Sequence, residues 1–520
     1  MKTLAPGVLE GQTVTGDLEI GCDVCIIGSG PGGAVTAELL AKAGFVVVVL
    51  EEGGWFTKER FRQREDEAYP LLYQDGGQRT TKDTAITILQ GRAVGGGTVV
   101  NWTTCFRTPD DVVDVWRTRH GATSVSIADL TPHWEAMEKR LNIAEIPLDV
   151  ANRNNRTLYD GAKALGIVAA PVKRNVLGCA MTGSCGHGCP LDAKQSMLVT
   201  LLPDAVKAGA AVVSRCRVER IRYEGGRAVA VEGVMLDAFG REPTGARITV
   251  KPRMVVVSGG AINTPALLLR SDTPDRSGLL GHRTFLHPVV GSVALFTEPV
   301  RAFQGAPQSI ASHAFARRAD EVGYFLEAGP IHPMLASTAY PGFGRDHLAF
   351  MKLLPYVAAH LVITIDGFHD DVVGGRVSVA PSGRPVLEYP IVERQWRALK
   401  DGQKKLAEIG FAAGAHTIAT GHDPPLKMTS KDDIKRVDDM PYEPCKVAVF
   451  SAHQMGGCAM SDDPKRGVVR SSDLRHHDVD NLFVVDGSVF PTSLGVNPQL
   501  SIYGLARLAA TRIAAANKKA

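Results

Sequence analysis

The first strong hydrophobic pattern in the chain is a strand–turn–helix–strand unit at residues 23–54. Apolar residues 24–27 predict a buried strand, the Ala- and Leu-rich stretch after them predicts a helix, and apolar residues 45–50 predict a second strand. The turn between the first strand and the helix reads GSGPGG at 28–33. A G-x-G-x-x-G turn in this position predicts a βαβ unit that binds an adenine dinucleotide, the alternative being an ordinary glycine-rich turn.

Each conspicuous residue of this unit has a physical role in the prediction. Gly28 allows the tight turn, Gly30 lets a pyrophosphate approach the backbone, and Gly33 lets the helix lie close to the strand. Pro31 opens the helix, whose N-terminus offers free N–H groups to the phosphates. Glu51 ends the second strand, where a carboxylate is expected to accept hydrogen bonds from the two hydroxyls of a ribose.

Later patterns predict a nucleotide domain interrupted by a second domain. Residues 130–170 have helical spacing, residues 210–250 alternate like strands around a Gly-Gly turn, and residues 253–271 repeat the strand–glycine–helix order. Short strand-like runs beyond position 290 predict an antiparallel sheet. The last 70 residues return to a strand at 482–486 and a long helix from about 498.

These patterns give three segments. We expect the nucleotide domain to be formed by residues 1–289, with excursions near 55–90 and 102–175, and by residues 446–520. Residues 290–445 are expected to form a substrate-binding cap. The nucleotide domain is therefore predicted to be discontinuous in sequence.

Composition narrows the class of protein. The chain has 520 residues, of which 44% are hydrophobic and 22% charged, as in a globular enzyme. A net charge of +3 without a dense basic run argues against a nucleic-acid partner. No apolar run approaches the length of a transmembrane segment. Nine cysteines without an export signal predict reduced thiols and a cytoplasmic location.

Four segments in this order resemble the signatures of the glucose–methanol–choline (GMC) flavin oxidoreductases. They are 28–54, 91–101 (GRAVGGGTVVN), 258–268 (SGGAINTPALL), and 453–458 (HQMGGC) with the stretch 485–499 that follows it. The resemblance implies FAD, a Rossmann-like α/β FAD-binding domain with an α+β cap built on an antiparallel sheet (the p-hydroxybenzoate hydroxylase-like type), and oxidation of an alcohol. Residues 101–109 and 188–196 are most similar to the long-chain alcohol oxidase and dehydrogenase branch, and 453–458 is also similar to cholesterol oxidases.

The resemblance implies further contacts with FAD. Some family members bind FAD covalently through a histidine at the position of Val100, so the cofactor is expected to be non-covalent here. Beyond the residues of the first βαβ unit, the expected cofactor-binding residues are Glu52, Arg92, Gly96, Gly97, Thr98, Asn101, Val218, Ser258, Asp486 and Pro498.

The expected catalytic residues are His453 and Asn497. Alcohol oxidation needs a base for the hydroxyl proton, and an imidazole titrates near neutral pH. The resemblance implies that His453 is this base, while a structural histidine is the alternative. Asn497 is expected to hydrogen-bond the substrate hydroxyl, to cap the last helix, or both. Glu327, an acid in an apolar run, either assists proton transfer or is an ordinary paired carboxylate.

A cysteine-rich loop leaves a metal question open. Cys179, Cys185 and Cys189 lie within eleven residues, with His187 among them. An iron–sulfur cluster, a zinc site with His187 as fourth ligand, and free or disulfide-bonded thiols are the alternatives, and the spacing fits neither metal pattern well. We expect no metal.

The functional hypothesis is FAD-dependent oxidation of a large or apolar alcohol, with oxygen or another electron acceptor. Two alternatives are a non-redox family member, such as a lyase or photodecarboxylase, and a flavin and iron–sulfur subunit that relays electrons to a partner protein.

Overall fold

The computed structural model describes residues 3–517. Helices and strands alternate over most of the first 270 residues, and strands dominate the middle of the chain. The helices are α1 (Pro31–Lys42), α2 (Glu65–Leu72), α3 (Asp110–His120), α4 (Ile127–Arg140), α5 (Arg153–Ala164), α6 (Leu201–Lys207), α7 (Gly260–Arg270), α8 (Pro333–Ala339), α9 (Gly344–Leu353), α10 (Glu393–Ala412) and α11 (Gln499–Ala516).

The strands range from two residues to the fifteen-residue β13. They are β1 (Gly7–Glu10), β2 (Leu18–Ile27), β3 (Val47–Leu50), β4 (Arg79–Thr80), β5 (Ile86–Ile88), β6 (Thr104–Cys105), β7 (Ile143–Glu145), β8 (Ala170–Pro171), β9 (Lys173–Asn175), β10 (Ala211–Ser214), β11 (Cys216–Glu224), β12 (Arg227–Leu236), β13 (Pro243–Val257), β14 (His282–Phe285), β15 (Val289–Leu295), β16 (Ile310–Ser312), β17 (Tyr324–Ala328), β18 (Val357–Thr364), β19 (Gly375–Val379), β20 (Pro385–Glu388), β21 (Thr417–Thr420), β22 (Lys427–Met428), β23 (Val449–Ser451), β24 (Met455–Gly456) and β25 (Leu482–Val484).

The first sheet carries the predicted βαβ unit. Its strand order is β1-β10-β3-β2-β13-β12-β11, and β25 also pairs with β13. Strands β1, β10, β3, β2, β13 and β25 run parallel, with α1 connecting β2 to β3. Strand β2 begins at Leu18, earlier than the sequence predicts, because residues 18–22 pair with the first half of β13.

Strand β13 joins the parallel and antiparallel parts of this sheet. Its first half pairs with β12 antiparallel, and residues 255–257 pair with β25 parallel. Strands β11 and β12 form the predicted hairpin, with a two-residue turn at Gly225 and Gly226. Both glycines have positive φ, 56° and 76°, the backbone that a tight hairpin turn requires.

The second sheet has ten strands and is almost entirely antiparallel. Its main order is β4-β5-β23-β15-β18-β17-β16-β8, with β21 and β22 attached beside β15. Only β5 and β23 pair parallel within it. The sheet therefore takes strands from 79–88, 170–171 and 449–451 as well as from the 290–445 segment. The exact domain boundaries stay a prediction.

Each large sheet has its own apolar core. Beside the first sheet, α1 packs against α6 and α11. Beside the second, α10 packs against β15, β18 and α5. The predicted fold class, a Rossmann-like α/β domain combined with an antiparallel α+β cap, is confirmed. Among residues 3–517, none of the helices has both the length and the apolar composition needed to cross a membrane.

Close packing of α1 on the glycine turn generates a stability prediction. A Cβ atom placed on Gly33 would lie 2.0 Å from the carbonyl oxygen of Gly28, which is backbone and cannot rotate away. We expect Gly33→Ala to lower the thermal unfolding midpoint, because relieving such overlap costs at least about 1–3 kcal/mol. Gly16→Ala is the control, since a Cβ there meets nothing within 4 Å. An unchanged midpoint for Gly33→Ala would contradict the packing.

Candidate active site

One large cavity of about 1100 Å³ lies between the two sheets. The glycine turn after β2 and the end of β3 form one part of its wall. Strands β15, β17 and β18 of the second sheet form another. The carboxyl ends of parallel strands are the usual site of nucleotide binding in α/β sheets. The cavity thus begins where the sequence predicts a dinucleotide and continues toward the second sheet.

The N-terminal end of α1, with its backbone N–H groups, faces the cavity. Gly30 is the N-cap of α1 and Pro31 is its first residue, and the N-cap makes no side-chain hydrogen bond. Gly30 and Pro31 both line the cavity. The positive end of the helix is therefore open to an anionic group.

The carboxylate of Glu51 is buried, and its contacts are all donors. The Ser29 N–H and hydroxyl donate to Oε2 at 2.9 and 2.7 Å, and the Gly53 N–H donates to Oε1 at 2.8 Å. Burial raises the pKa of Glu51, and these donors oppose the shift. Glu51 lines the cavity, and its oxygens keep available lone pairs. The carboxylate can therefore accept hydrogen bonds from the hydroxyls of a ribose.

The structure brings nearly all the predicted residues to this one cavity. Gly33 is the exception: it does not line the wall and instead contacts Gly28 through the backbone. The predicted residues that do line the cavity are Gly28, Gly30, Pro31, Glu51, Glu52, Arg92, Gly96, Gly97, Thr98, Asn101, Val218, Ser258, Asp486, Pro498, His453 and Asn497.

Asp486 has a second role beyond lining the cavity. Its carboxylate accepts hydrogen bonds from the Gly260 N–H at 2.8 Å, the Thr264 hydroxyl at 2.5 Å and the Ser488 N–H at 2.8 Å. Ser258 donates to the Val485 carbonyl at 2.8 Å. These contacts tie the start of α7 to the segment after β25.

A buried lysine supports the second glycine-rich loop. Lys194 donates to the carbonyls of Asn101 at 3.0 Å and Cys185 at 2.7 Å, and also to Val99. Burial lowers the pKa of Lys194 to about 8. Asn101 in turn donates to Gln499 at 2.7 Å. The loop is thereby joined to the cysteine-rich loop and to the start of α11.

His453, Asn497 and Glu327 form a cluster at the inner end of the cavity. His453 lies between β23 and β24, Asn497 comes before α11, and Glu327 lies within β17. Asn497 Nδ2 is 3.3 Å from both His453 Nε2 and Glu327 Oε2. Gln308 donates to the same Glu327 oxygen at 2.7 Å. The structure thus brings together three candidates from separate segments.

Burial shifts the pKa values of this cluster in opposite directions. The pKa of His453 falls to about 4, because burial penalises the charged imidazolium. The pKa of Glu327 rises to about 7, because burial penalises the carboxylate more than its hydrogen bonds to Asn497 and Gln308 favour it. At neutral pH the imidazole is uncharged, and Glu327 is present in both its protonated and its ionised form.

A second histidine fixes the tautomer of His453. The Gly495 N–H donates to His287 Nε2 at 3.2 Å. Since a backbone N–H can only donate, neutral His287 carries its proton on Nδ1, which is 3.2 Å from His453 Nδ1. His453 Nδ1 is therefore the acceptor, and neutral His453 carries its own proton on Nε2.

Two donors consequently face each other at the inner end of the cavity. His453 Nε2–H and the Asn497 amide N–H meet across 3.3 Å, while Oδ1 of Asn497 is buried without a partner. An oxygen atom placed beside them accepts from both. Turning the amide would give His453 an acceptor but would set an oxygen against Glu327, so amide orientation and protonation of Glu327 are coupled.

His287 and Gln308 are site residues that the sequence alone does not indicate. His287 lies between β14 and β15 with φ of +48°, a left-handed backbone that is uncommon for a residue with a side chain. Its N–H donates to the buried Asp366 at 3.2 Å. In the sequence, His287 is followed by a proline and lies between two apolar runs. This pattern does not indicate that the fold places His287 beside His453.

The cysteine-rich loop holds unpaired thiols. Cys179, Cys185 and Cys189 are free, which excludes disulfides among them in this structure. Within residues 3–517 their sulfur atoms do not converge as a group of three metal ligands. His187 does not join them either; it lies near Glu65 and His332.

The cavity fits FAD on the chemistry of its wall. It combines a glycine turn with helix N–H groups, a carboxylate for a ribose, and a glycine-rich loop at 95–97. A Cβ on Gly97 would enter open space, so the absence of a side chain there leaves room for a ring system against the backbone. These residues would hold the dinucleotide, which would supply a hydride acceptor in the same cavity as His453.

Comparison with protein families gives three matches. Two models described as GMC oxidoreductase match residues 69–289 and 374–506. A model described as FAD binding domain matches residues 21–64. Together they cover most of the segments that line the cavity, while Gln308, Glu327, Met334, Leu361 and Ile363 lie in the unmatched stretch 290–373.

Relatives match over almost the whole chain. A GMC-type oxidoreductase of Mycobacterium tuberculosis is 35% identical over 490 residues, 93% of this chain and 74% of the relative. A long-chain-alcohol oxidase of Arabidopsis thaliana is 29% identical over 526 residues, 96% of this chain and 68% of the relative. The solved structure of a formate oxidase variant of Aspergillus oryzae superposes with a TM-score of 0.69 at 15% identity, covering 96% of this chain and 99% of that one.

Proposed function

We propose, from the premise that the chain belongs to the GMC oxidoreductase family, that it oxidises the CH–OH group of an alcohol to a carbonyl. FAD bound in the cavity would accept the hydride from the carbinol carbon. The observation that carries the proposal is the His453–Asn497–Glu327 cluster in the same cavity as the dinucleotide motif. Oxygen or another electron acceptor would then complete the reaction.

The paired donors of His453 and Asn497 suit an alcohol oxygen. The oxygen would accept from His453 Nε2–H and from the Asn497 amide, two groups that already converge. Negative charge grows on this oxygen as its proton leaves, and buried donors stabilise such charge more strongly than water does. The two residues would therefore bind the transition state more tightly than the alcohol.

Glu327 is the better-placed acceptor for the hydroxyl proton. The sequence-based hypothesis assigned this role to His453, but the hydrogen bond from His287 leaves His453 with its Nε2 already protonated. Glu327 Oε1 is buried without a partner and is free to accept a proton. We therefore propose that His453 orients the alcohol oxygen and that Glu327 takes the proton.

The side chains around this cluster favour an apolar alcohol. Val289, Leu361, Ile363, Phe450 and Trp102 line the same end of the cavity. A substrate carbon chain would bury apolar surface against them, at about 25 cal/mol per Å². Similarity to long-chain-alcohol oxidases supports the same substrate class.

The mode of FAD attachment and the location of the protein are two further predictions. Val100 lines the cavity where some relatives carry a flavin-linking histidine, which supports non-covalent FAD. Cytoplasmic location stays a prediction from cysteine content and the N-terminal sequence.

The pH dependence of flavin reduction distinguishes the two candidate bases. A base must be unprotonated to act, so with Glu327 the anaerobic rate of flavin bleaching by alcohol is expected to rise with pH through about 7. Glu327→Gln is expected to abolish this rise and slow bleaching by about 10²- to 10⁴-fold. The exposed Glu298→Gln is the control. A rise centred near pH 4 that survives in Glu327→Gln would instead assign the base to His453.

Removal of the tautomer-fixing hydrogen bond tests the role of His287. In His287→Gln the His453 proton can move to Nδ1, so flavin bleaching is expected to slow by up to about 10⁴-fold, the cost of a wrong imidazole tautomer. His313→Gln is the matched control, because both rings pack on Phe325. Within residues 3–517, His313 makes neither a ring contact nor a hydrogen bond with His453. Flavin absorbance reports whether each variant retains its cofactor. Equal bleaching rates for both variants would contradict the role.

The mode of FAD attachment has a direct test. Acid precipitation of the yellow protein is expected to release all the flavin into the supernatant, because the residue at position 100 is valine. Flavin that stays with the pellet would show a covalent link through another side chain.

A further inference from the structure

Three metal-ligating side chains meet outside the active-site cluster. Glu65 begins α2, His187 ends the short helix Cys185–His187 in the cysteine-rich loop, and His332 is the residue before α8. One ligand atom from each lies within 4.8 Å of the other two. The rings of His187 and His332 are in edge contact with centroids 4.5 Å apart. Three separate segments thus contribute to one small group.

His332 is not engaged in capping its own helix. It is the N-cap residue of α8, and its side chain makes no cap hydrogen bond. Its ring is in edge contact with that of His187. A neutral imidazole has one nitrogen with an available lone pair.

His187 has an unsatisfied nitrogen in the interior. The residue is 2% exposed, and its Nδ1 is buried without any hydrogen-bond partner. Coordination of a cation would give this nitrogen the partner that it lacks among residues 3–517.

Glu65 supplies negative charge that no basic side chain balances. Its two oxygens accept the N–H groups of Met334 and Leu335 at 2.6 and 2.8 Å, at the start of α8. Among residues 3–517, no lysine or arginine makes an ion pair with it, although it is only 9% exposed. Each oxygen retains a lone pair, and a cation between Glu65 and the two imidazoles would compensate the buried charge.

We propose that Glu65, His187 and His332 bind one divalent transition-metal ion of the zinc class. Two imidazoles and one carboxylate are a ligand set that zinc accepts, with a fourth position for water. Ligand atoms on a tetrahedral zinc ion lie about 3.3 Å apart, so the group closes by at most about 1.5 Å on binding. Small rotations of the three side chains suffice for that movement.

The ion would link three segments at the cavity wall. Met334, in the first turn of α8, lines the large cavity. Tyr69 within α2 and Tyr73 directly after it line the same cavity. The Tyr73 hydroxyl donates to the Gly186 carbonyl at 2.8 Å, beside His187. Metal binding would therefore stabilise the outer wall of the substrate cavity without contact with His453.

Zinc binding by the flavin-loaded full-length protein tests this site. Protein depleted with EDTA and dialysed against zinc chloride is expected to hold about one zinc per chain by elemental analysis, and zinc is expected to raise its thermal midpoint. His187→Ala and His332→Gln are expected to lose both effects while retaining flavin. The half-buried His347→Ala and the thiol variant Cys189→Ser are the controls and are expected to keep both effects.

Three outcomes would overturn the site. One is wild-type protein that holds no more zinc than His187→Ala. Another is zinc content that falls in Cys189→Ser, which would place the ion on the thiols. The third is zinc binding without any rise in thermal midpoint, which would indicate binding at the surface. Each result is independent of alcohol oxidation, because metal content and flavin content are measured separately.

Discussion

Burial of polar groups at the inner end of the cavity determines how the candidate active-site residues behave. His287, Asn497 and Glu327 are buried and His453 is half-buried, so most of their hydrogen-bond partners must come from the protein. Oδ1 of Asn497 and Oε1 of Glu327 have no such partner among residues 3–517. The fixed direction of one backbone N–H, that of Gly495, then decides the tautomer of two imidazoles in succession. Burial favours the uncharged form of both groups, because it raises the pKa of Glu327 and lowers that of His453. Proton positions in this cluster therefore depend on burial and on the fixed direction of the Gly495 N–H.

Local sequence was sufficient for the nucleotide-binding half of the fold. The G-x-G-x-x-G turn, the strand before it and Glu51 after it are close in sequence, and their roles depend on local backbone geometry. The hairpin at Gly225 and Gly226 was predictable for the same reason, since positive φ at both positions suits glycine. The sequence predicts too short a strand β2, because the first residues of β2 are fixed by pairing with β13, a partner far along the chain.

The reaction site was only partly predictable because its contacts are not local. His453 and Asn497 were identified through the resemblance to a family, and Glu327 as an acid in an apolar strand. Nothing near His287 in sequence indicates that it will touch His453, since the contact joins the start of the second sheet to the loop after β23. In the cysteine-rich loop the close thiols left a metal site among the alternatives, and only the fold shows that His187 turns toward residues from two distant segments.

The pairing of β25 with β13 has a consequence for synthesis of the protein. Residues 255–257 of β13 leave the ribosome long before residues 482–484, their partners on that side, have been made. Until then this edge presents unpaired backbone groups among valine side chains, an arrangement that favours association with other chains. The parallel sheet can therefore be completed only after nearly the whole chain has been synthesised.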